Sequence, residues 1–223
     1  PMSEWESREI LGQAGIPMGE ARFATSAEEA GKAANEIGSS VAMKINGPDI
    51  AHKTEVGGVE LNVGSGTEAE KAYTDLLARV KQAALSSHPD GGIMAPMVSG
   101  GVEVILVVQV DPVFGPAVMF GLGGIFTEIF EDVAFRMAPF GRDEAMAMIS
   151  SIRGVQLLQG VRGRPQADID ALAEALVKLS QFAAAHGDEI DSIDLNPCLV
   201  MEKGKGLVAL DALVVPKGTS EPH

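Results

Sequence analysis

The chain has 223 residues, of which 46% are hydrophobic and 22% charged, enough to bury a core in one large domain or two closely associated lobes. The formal net charge of −14 argues against a nucleic-acid-binding protein, which needs a basic face. A single cysteine, Cys198, excludes an internal disulfide framework and a cysteine-rich zinc site. The apolar runs are too short to span a membrane, and no basic-then-apolar signal segment opens the chain, so we expect a cytoplasmic protein.

Capping patterns locate the helices of the first half. A Ser or Thr three residues before a Glu predicts a helix start, and a glycine after the last turn predicts its end. Short apolar runs after the second and third helices predict strands over residues 41–46, 56–63 and 92–98. The starting pairs are Ser3 with Glu6, Ser26 with Glu29 and Thr67 with Glu70, and the first two helices end at Gly15 and Gly38.

The second half mixes strands joined by turns with two further helices. The helices are predicted over residues 142–152 and 165–186. Such a mixture is typical of an α+β fold. A single domain is expected, with one lobe over about residues 15–95, another over about 96–215 and a flexible tail over 216–223. The predicted strands cover residues 103–110, 118–120, 127–132, 190–195, 198–202 and 207–215.

The stretch VAMKINGPDIAHKTEVGGVEL, residues 41–61, carries two cations and an imidazole. Lys44 lies in a strand, where the structural alternative is a solvent-facing lysine, and His52 with Lys53 lies in a loop, where a histidine is usually a surface residue. An imidazole is also a nucleophile that can hold a phosphoryl group. The glycines that follow let the backbone approach a ligand closely. Together these features favour a site that handles phosphate.

Two other motifs offer groups that suit a nucleotide and its metal. The glycines of GLGG, residues 121–124, can turn backbone N–H groups toward an anion, although an ordinary glycine-rich hairpin has the same pattern. The motif is not a P-loop, because no Gly-Lys-Ser/Thr follows. Asn196 and Asp211 lie on adjacent strands of a predicted hairpin and supply the hard oxygen ligands that suit Mg²⁺, although turn chemistry is the alternative.

Taken together, HKTEVGG, the run FGPAVMFGLGGIFTEIFEDVAFRMAP, DLNP and LDA resemble the ATP-grasp β subunit or domain of the NDP-forming (ADP-forming) acyl-CoA synthetases, within the succinyl-CoA synthetase superfamily. The resemblance covers about residues 3–215. It implies an ATP-grasp fold with a nucleotide clamped between two lobes. It also implies ATP or ADP and Mg²⁺ as cofactors, and a reaction that converts acid, CoA and ATP to acyl-CoA, ADP and phosphate.

The resemblance also assigns roles to individual residues. His52 relays the phosphoryl group, Lys53 screens its charge and Glu55 orients the imidazole. The chain departs from its relatives at Ala95 and Val110, where they often carry Gln and Arg. The implied nucleotide contacts are Lys44, Gly121, Gly123, Gly124 and Arg136 for phosphates, Ala95, Pro96, Met97 and Val98 for the base, and Glu103 for the ribose, while Asn196 and Asp211 bind the metal.

No segment resembles a CoA-binding domain or a carrier of the primary phosphohistidine. We therefore expect a hetero-oligomer with an α subunit, or fusion to equivalent domains. Two alternatives are a regulatory module of a synthetase-like protein acetyltransferase and a free-standing ATP-grasp ligase. The first often loses the histidine or the metal ligands, which this chain keeps, and the second needs its own acid pocket, for which no residues stand out.

Overall fold

A computed structural model describes residues 1–50, 53, 56–83, 87–124, 132–161 and 163–219. These residues form two compact units, each an antiparallel sheet with helices, which confirms the predicted α+β class. The first unit contains Pro1–Glu6 and Gly19–Ser99, and the second contains Ser7–Met18 and the described residues from Gly100 onward. Helix α1 therefore contributes its first turn to the first unit and its remainder to the second. It spans Glu4–Gln13.

The first unit is a four-stranded sheet with the order β1-β4-β2-β3. Two helices pack against one face of the sheet, and Met43, Leu76 and Met94 are among the side chains fully buried there. The strands are β1 (Arg22–Ala24), β2 (Val41–Asn46), β3 (Val59–Val63) and β4 (Gly91–Pro96), and the helices are α2 (Ala27–Ile37) and α3 (Gly66–Ala83).

The capping signals of α1 and α2 are formed as predicted. At the start of α1, Ser3 N–H donates to Glu6 Oε2 at 2.8 Å and Glu6 N–H donates to Ser3 Oγ at 3.3 Å. At the start of α2, the Ser26 hydroxyl accepts from the Glu29 N–H at 3.2 Å. Gly38 ends α2 with φ of 69°, in the left-handed region that favours glycine.

The predicted cap of α3 is wrong by two residues. The helix begins at Gly66, and the capping hydroxyl is that of Ser65, which accepts from the Glu68 N–H at 3.3 Å. Glu68 in turn accepts from the Gly64 N–H at 3.2 Å. Ser65 with Glu68 and Thr67 with Glu70 both fit the capping-box pattern. The sequence pattern therefore cannot choose between them, and the earlier pair forms the box.

The second unit is an antiparallel sheet in which β10-β8-β5-β6-β7 lie side by side and β9 also pairs with β8. Its longest helix packs on β5, β6 and β8 and contacts α4. The strands are β5 (Val102–Asp111), β6 (Gly115–Leu122), β7 (Val133–Met137), β8 (Ile190–Val200), β9 (Leu207–Ala209) and β10 (Leu213–Pro216), and the helices are α4 (Arg142–Ser151), a 3₁₀ turn (Arg153–Val155), α5 (Gln156–Gln159) and α6 (Ile169–His186).

Strand β8 joins two segments that the sequence predicts as separate strands. The register against β5 pairs Leu106 with Leu195 and Val104 with Cys198, so two residues of β8 oppose one of β5. This β-bulge lies at Asn196-Pro197, whose peptide bond is cis. On the other side of β8, the single strand predicted over residues 207–215 is divided into β9 and β10. The predicted strand over residues 127–132 lies almost wholly outside the described residues.

Candidate functional site

In the first unit, the buried carboxylate of Glu4 contacts the ammonium groups of both Lys44 and Lys53. Lys44 Nζ lies 3.0 Å from Glu4 Oε1, and Lys53 Nζ lies 2.9 Å from Glu4 Oε2. The Glu4 side chain is 0% exposed, while those of Lys44 and Lys53 are 15% and 9% exposed. Lys44 follows Met43, which is buried under the helices, so Lys44 lies on the opposite face of the sheet.

Further contacts fix the start of α1 on that face. Trp5 N–H donates to Asn46 Oδ1 at 3.0 Å, and Asn46 donates to Asp90 Oδ1 at 2.8 Å. The Trp5 ring stacks on Phe23 with centroids 5.2 Å apart. The sequence does not single out Glu4, because it is one of several acids in a helix, and its burial is visible only in the structure.

Of the other residues predicted for the first unit, only the base-binding segment is described. His52 and Glu55 lie outside the described residues. Ala95 and Pro96 end β4 and pair with Ala42 and Val41. Met97 follows, with its N–H donating to Ser40 O at 2.9 Å, and Val98 comes next. The base-binding role of this segment stays a prediction.

In the second unit, the predicted ribose residue lies beside the glycine motif. Gly123 N–H donates to Glu103 O at 2.7 Å, and a Cβ on Gly123 would lie 2.5 Å from Glu103 Cγ. Gly124 has φ of 66°, which an L side chain rarely adopts. Gly121 lies within β6, where it pairs with Ile105. The Glu103 side chain therefore leaves no room for a Cβ at position 123, and any residue other than glycine there would require Glu103 to move.

Glu103 and Gly123 also line a cavity of about 670 Å³, within the size range of small-molecule sites. Arg153 and Arg164 line it from the segment that follows α4. These two arginines were not predicted as site residues, although Arg164 lies within a Gly- and Arg-rich stretch, GVRGRP, residues 160–165. Asp132 fixes this segment, since its carboxylate accepts from the Arg153 and Gly154 N–H groups at 2.8 and 2.7 Å.

The two predicted metal ligands lie on neighbouring segments: Asn196 is in β8, and Asp211 is between β9 and β10. Cys198 pairs with Ala209 and Asp194 with Leu213, and Leu210 N–H donates to Pro197 O at 3.0 Å. This register places Asp211 opposite Asn196. Among the described residues, no group of three His, Cys, Asp or Glu side chains forms a metal site. A pair of oxygen donors fits Mg²⁺, which takes its remaining ligands from phosphates and water.

Arg136 lies on the face of the second sheet that the helices cover. It pairs with Val118, which is buried under the helices, whereas Asp194 pairs with Val107 on the other face of the sheet. The Arg136 guanidinium forms an ion pair with Glu144 of α4 and donates to Phe135 O at 2.7 Å. A phosphate contact by Arg136 stays a prediction.

Cys198 is a core residue and not a nucleophile. Burial, together with the nearby charge of Asp194, raises the pKa of Cys198 to about 12. Its thiol therefore stays protonated near neutral pH, and the reactive thiolate is suppressed. Among the described helices, none is long and apolar enough to cross a membrane.

Comparison with known proteins gives the same family as the motifs. The ATP-grasp domain family matches residues 1–215. The chain is 41% identical to the beta subunit of the ADP-forming acetate–CoA ligase II of Pyrococcus furiosus, over 97% of this chain and 92% of that subunit. It is also 41% identical to the ADP-forming 4-hydroxybutyrate–CoA ligase of Nitrosopumilus maritimus, over 95% of this chain but 30% of that protein.

Solved structures of one acetyl-CoA synthetase share the fold. The Ca. Korarchaeum cryptofilum acetyl-coenzyme A synthetase 1, in complex with coenzyme A, Ca-AMPCP and HgCl⁺, superposes with a TM-score of 0.91 at 38% identity, covering 97% of this chain and 93% of that one. Another structure of the same synthetase holds coenzyme A and Mg-AMPPCP, with its phosphohistidine segment pointing towards the nucleotide binding site; it has a TM-score of 0.79 at 36% identity, covering 96% and 92%. The chain belongs to the ATP-grasp family, among the β subunits and domains of ADP-forming acyl-CoA ligases.

Proposed function

We propose that this chain is the nucleotide-binding half of an ADP-forming acyl-CoA ligase. It would transfer a phosphoryl group between ATP or ADP and a phosphohistidine while the complete enzyme interconverts acid, CoA and ATP with acyl-CoA, ADP and phosphate. The observation that carries this function is the position of Asp211 opposite Asn196. The chain also matches 92% of the length of the β subunit from Pyrococcus furiosus.

The residues of each unit have chemistry suited to a phosphate-bearing ligand. Lys44 and Lys53 supply two ammonium groups for phosphate oxygens, and the backbone at Gly123 and Gly124 supplies N–H groups. Asn196 and Asp211 would hold Mg²⁺. When bound, this ion would neutralise phosphate charge that an acidic protein cannot neutralise with its own side chains.

His52 is proposed as the group that carries the phosphoryl. A neutral ring nitrogen attacks the γ-phosphorus of ATP, the bond to the ADP oxygen breaks, and an N–P bond forms. The ring then loses its other N–H proton, and ADP leaves. The reverse sequence makes ATP. Lys53 and Glu55, its neighbours in HKTEVGG, are proposed to screen charge and orient the ring.

Recognition of CoA and of the acid is assigned to another chain or domain. The relative from Pyrococcus furiosus is a β subunit of similar length, whereas this chain covers 30% of the ligase from Nitrosopumilus maritimus. The proposed partner is accordingly an α subunit, or fused domains of the same function. Mg²⁺ dependence and a cytoplasmic location belong to the same proposal.

Phosphoryl labelling tests this function. The chain is purified with its co-expressed partner, incubated with γ-labelled ATP and Mg²⁺, and the labelled residues are identified by mass spectrometry. We expect base-stable, acid-labile label on this chain, abolished in His52→Ala but kept in His88→Ala, whose ring is 88% exposed. Normal turnover by His52→Ala with its partner would contradict the relay.

A further inference from the structure

Glu4 is buried beside two lysines, and the roles that the family resemblance assigns to the phosphate-binding residues do not explain why an acid lies there. It lies in the first turn of α1, and its side chain is fully buried. A buried carboxylate is costly unless it is paired and hydrogen-bonded. Here each carboxylate oxygen faces a different ammonium group, at 3.0 Å for Lys44 and 2.9 Å for Lys53.

The arrangement brings two like charges to one carboxylate. Lys44 comes from β2 and Lys53 from the turn between β2 and β3, where its carbonyl accepts from the Gly58 N–H at 2.6 Å. Two ammonium groups at a poorly exposed site repel each other unless an anion lies between them. Glu4 carries one negative charge against the two positive charges of Lys44 and Lys53, so these three groups together have a formal charge of +1.

The same element holds its position by contacts independent of the lysines. Trp5 N–H binds the Asn46 side chain at 3.0 Å, and the Trp5 ring stacks on Phe23. Asn46 is in turn bound to Asp90, the nearest further carboxylate along these contacts. Glu6 and Glu9 of the same helix are exposed, so they are not equivalent to Glu4.

We infer that Glu4 is a positioning residue, which holds Lys44 and Lys53 side by side for a phosphate group. Flexible lysine side chains lose conformational freedom when they bind an anion, and a carboxylate that orders them beforehand lowers that cost. This role rests on the proposed function only in the identity of the anion. The contact between Glu4 and the two lysines is a separate claim with its own measurement.

Site-resolved labelling of lysines tests the inference. The intact chain is treated with formaldehyde and cyanoborohydride, and methylation at each lysine is measured by mass spectrometry relative to the exposed Lys71. In the wild type we expect Lys44 and Lys53 to be labelled slowly. Glu4→Gln keeps the size of the side chain but removes its charge, so labelling of both lysines should rise severalfold. Glu9→Gln, the same change at an exposed position of α1, should match the wild type.

A second, more conservative variant keeps the inference testable if Glu4→Gln does not fold. Circular dichroism melting shows whether Glu4→Gln is folded. Glu4→Asp keeps the charge but shortens the side chain, and we expect labelling between that of the wild type and that of Glu4→Gln. A folded Glu4→Gln with wild-type labelling at both lysines would overturn the inference. If Glu4→Gln does not fold, wild-type labelling of both lysines in Glu4→Asp overturns it instead.

Nucleotide separates this inference from the proposed function. MgATP should suppress labelling of Lys44 and Lys53 in Glu4→Gln, because the phosphates replace the missing negative charge. Increased labelling in Glu4→Gln that MgATP leaves unchanged would support the contact between Glu4 and the two lysines, but it would overturn the inference that this contact positions them for a phosphate group.

Discussion

At the scale of single residues, Asp168 links the start of α6 to the turn before β9. One carboxylate oxygen accepts from the Ala171 N–H at 3.2 Å, and the other accepts from the N–H groups of Gly204 and Gly206 at 2.9 and 2.8 Å. Burial alone would raise the pKa of Asp168, but these three N–H groups and the charge of Lys203 outweigh it, so that the pKa is lowered. The carboxylate is thus a stabilising group in its charged form.

Replacing Asp168 with Asn should destabilise the chain at pH 7. Asn keeps one acceptor oxygen, but it loses the charge and presents an NH₂ group to backbone donors. Hydrogen bonds to charged groups contribute about 1.5–3 kcal/mol, and we expect a loss of the free energy of unfolding in that range. Asp170→Asn, which removes an exposed partner of Arg142, should cost less than about 1 kcal/mol. Urea denaturation measures both, and equal losses would contradict the account.

The effect of Asp168→Asn should also depend on pH. The pKa of Asp168 in the folded chain lies below that of an unfolded aspartate, about 3.9. Its contribution to stability is therefore complete above pH 3.9 and is lost as the pH falls through the lower, folded value. The difference in unfolding free energy between wild type and variant should shrink below about pH 4. A difference that grows with acidity would show the opposite sign of pKa shift.

The buried thiol of Cys198 gives a third prediction. Because burial and Asp194 raise the pKa of Cys198 to about 12, the native chain should react very slowly with a thiol-specific disulfide reagent at pH 8. In guanidinium chloride the same thiol should react at once. Absorbance of the released thiolate measures both rates. Similar rates in the native and denatured chain would show that the strand around Cys198 opens readily.

Residue chemistry in the sequence predicts the oxygen pair better than the lysine cluster. The DLNP and LDA motifs single out Asn196 and Asp211 through the family resemblance, and the strand register places the two residues opposite each other, while their metal-binding role stays a prediction. Glu4 is indistinguishable in sequence from other helix acids, since its burial depends on where the first turn of α1 lies. Likewise, the pairing of Arg136 with Glu144 depends on the face of β7 that α4 covers.

At the scale of elements, the start of α3 tests how a helix selects its cap. Ser65→Ala should lower the free energy of unfolding by about 1 kcal/mol, because it leaves the Glu68 N–H without its side-chain acceptor. Thr67→Ala, at the predicted but incorrect cap, should change it by less than about 0.5 kcal/mol. Urea denaturation compares the two variants. A larger loss for Thr67→Ala would place the cap where the sequence pattern first suggested.

Strand β8 shows why boundaries were harder to predict than elements. Asn-Pro is a turn signal, so the sequence divides the strand at Asn196. The β-bulge accommodates both residues, and Leu195 and Cys198 remain buried on either side of it. The interruption occurs instead in the neighbouring segment, between β9 and β10, which carries Asp211. Bulges depend on pairing with another strand, which local sequence does not specify.

At the scale of the whole molecule, charge is distributed so that cations occur where phosphate is expected. The chain has a net charge of −14, yet Lys44 and Lys53 lie together at one carboxylate of the first unit. In the second unit, the predicted metal ligands are neutral Asn196 and acidic Asp211. We therefore expect a divalent cation to accompany a triphosphate bound to this acidic chain.

Nucleotide binding by the chain without its partner tests the central claim most directly. Calorimetry with MgADP should show saturable heat, and a concentration 100 times the dissociation constant should stabilise the fold by about 2.7 kcal/mol. Chelation of Mg²⁺ should weaken the binding of ADP to the wild type. It should have the same effect on the control variant Asp188→Ala, which changes an exposed residue. It should not weaken the residual ADP binding of Asp211→Ala. Saturating MgADP that gives neither heat nor a thermal shift, or an Asp211→Ala variant with unchanged Mg²⁺ dependence, would contradict the account.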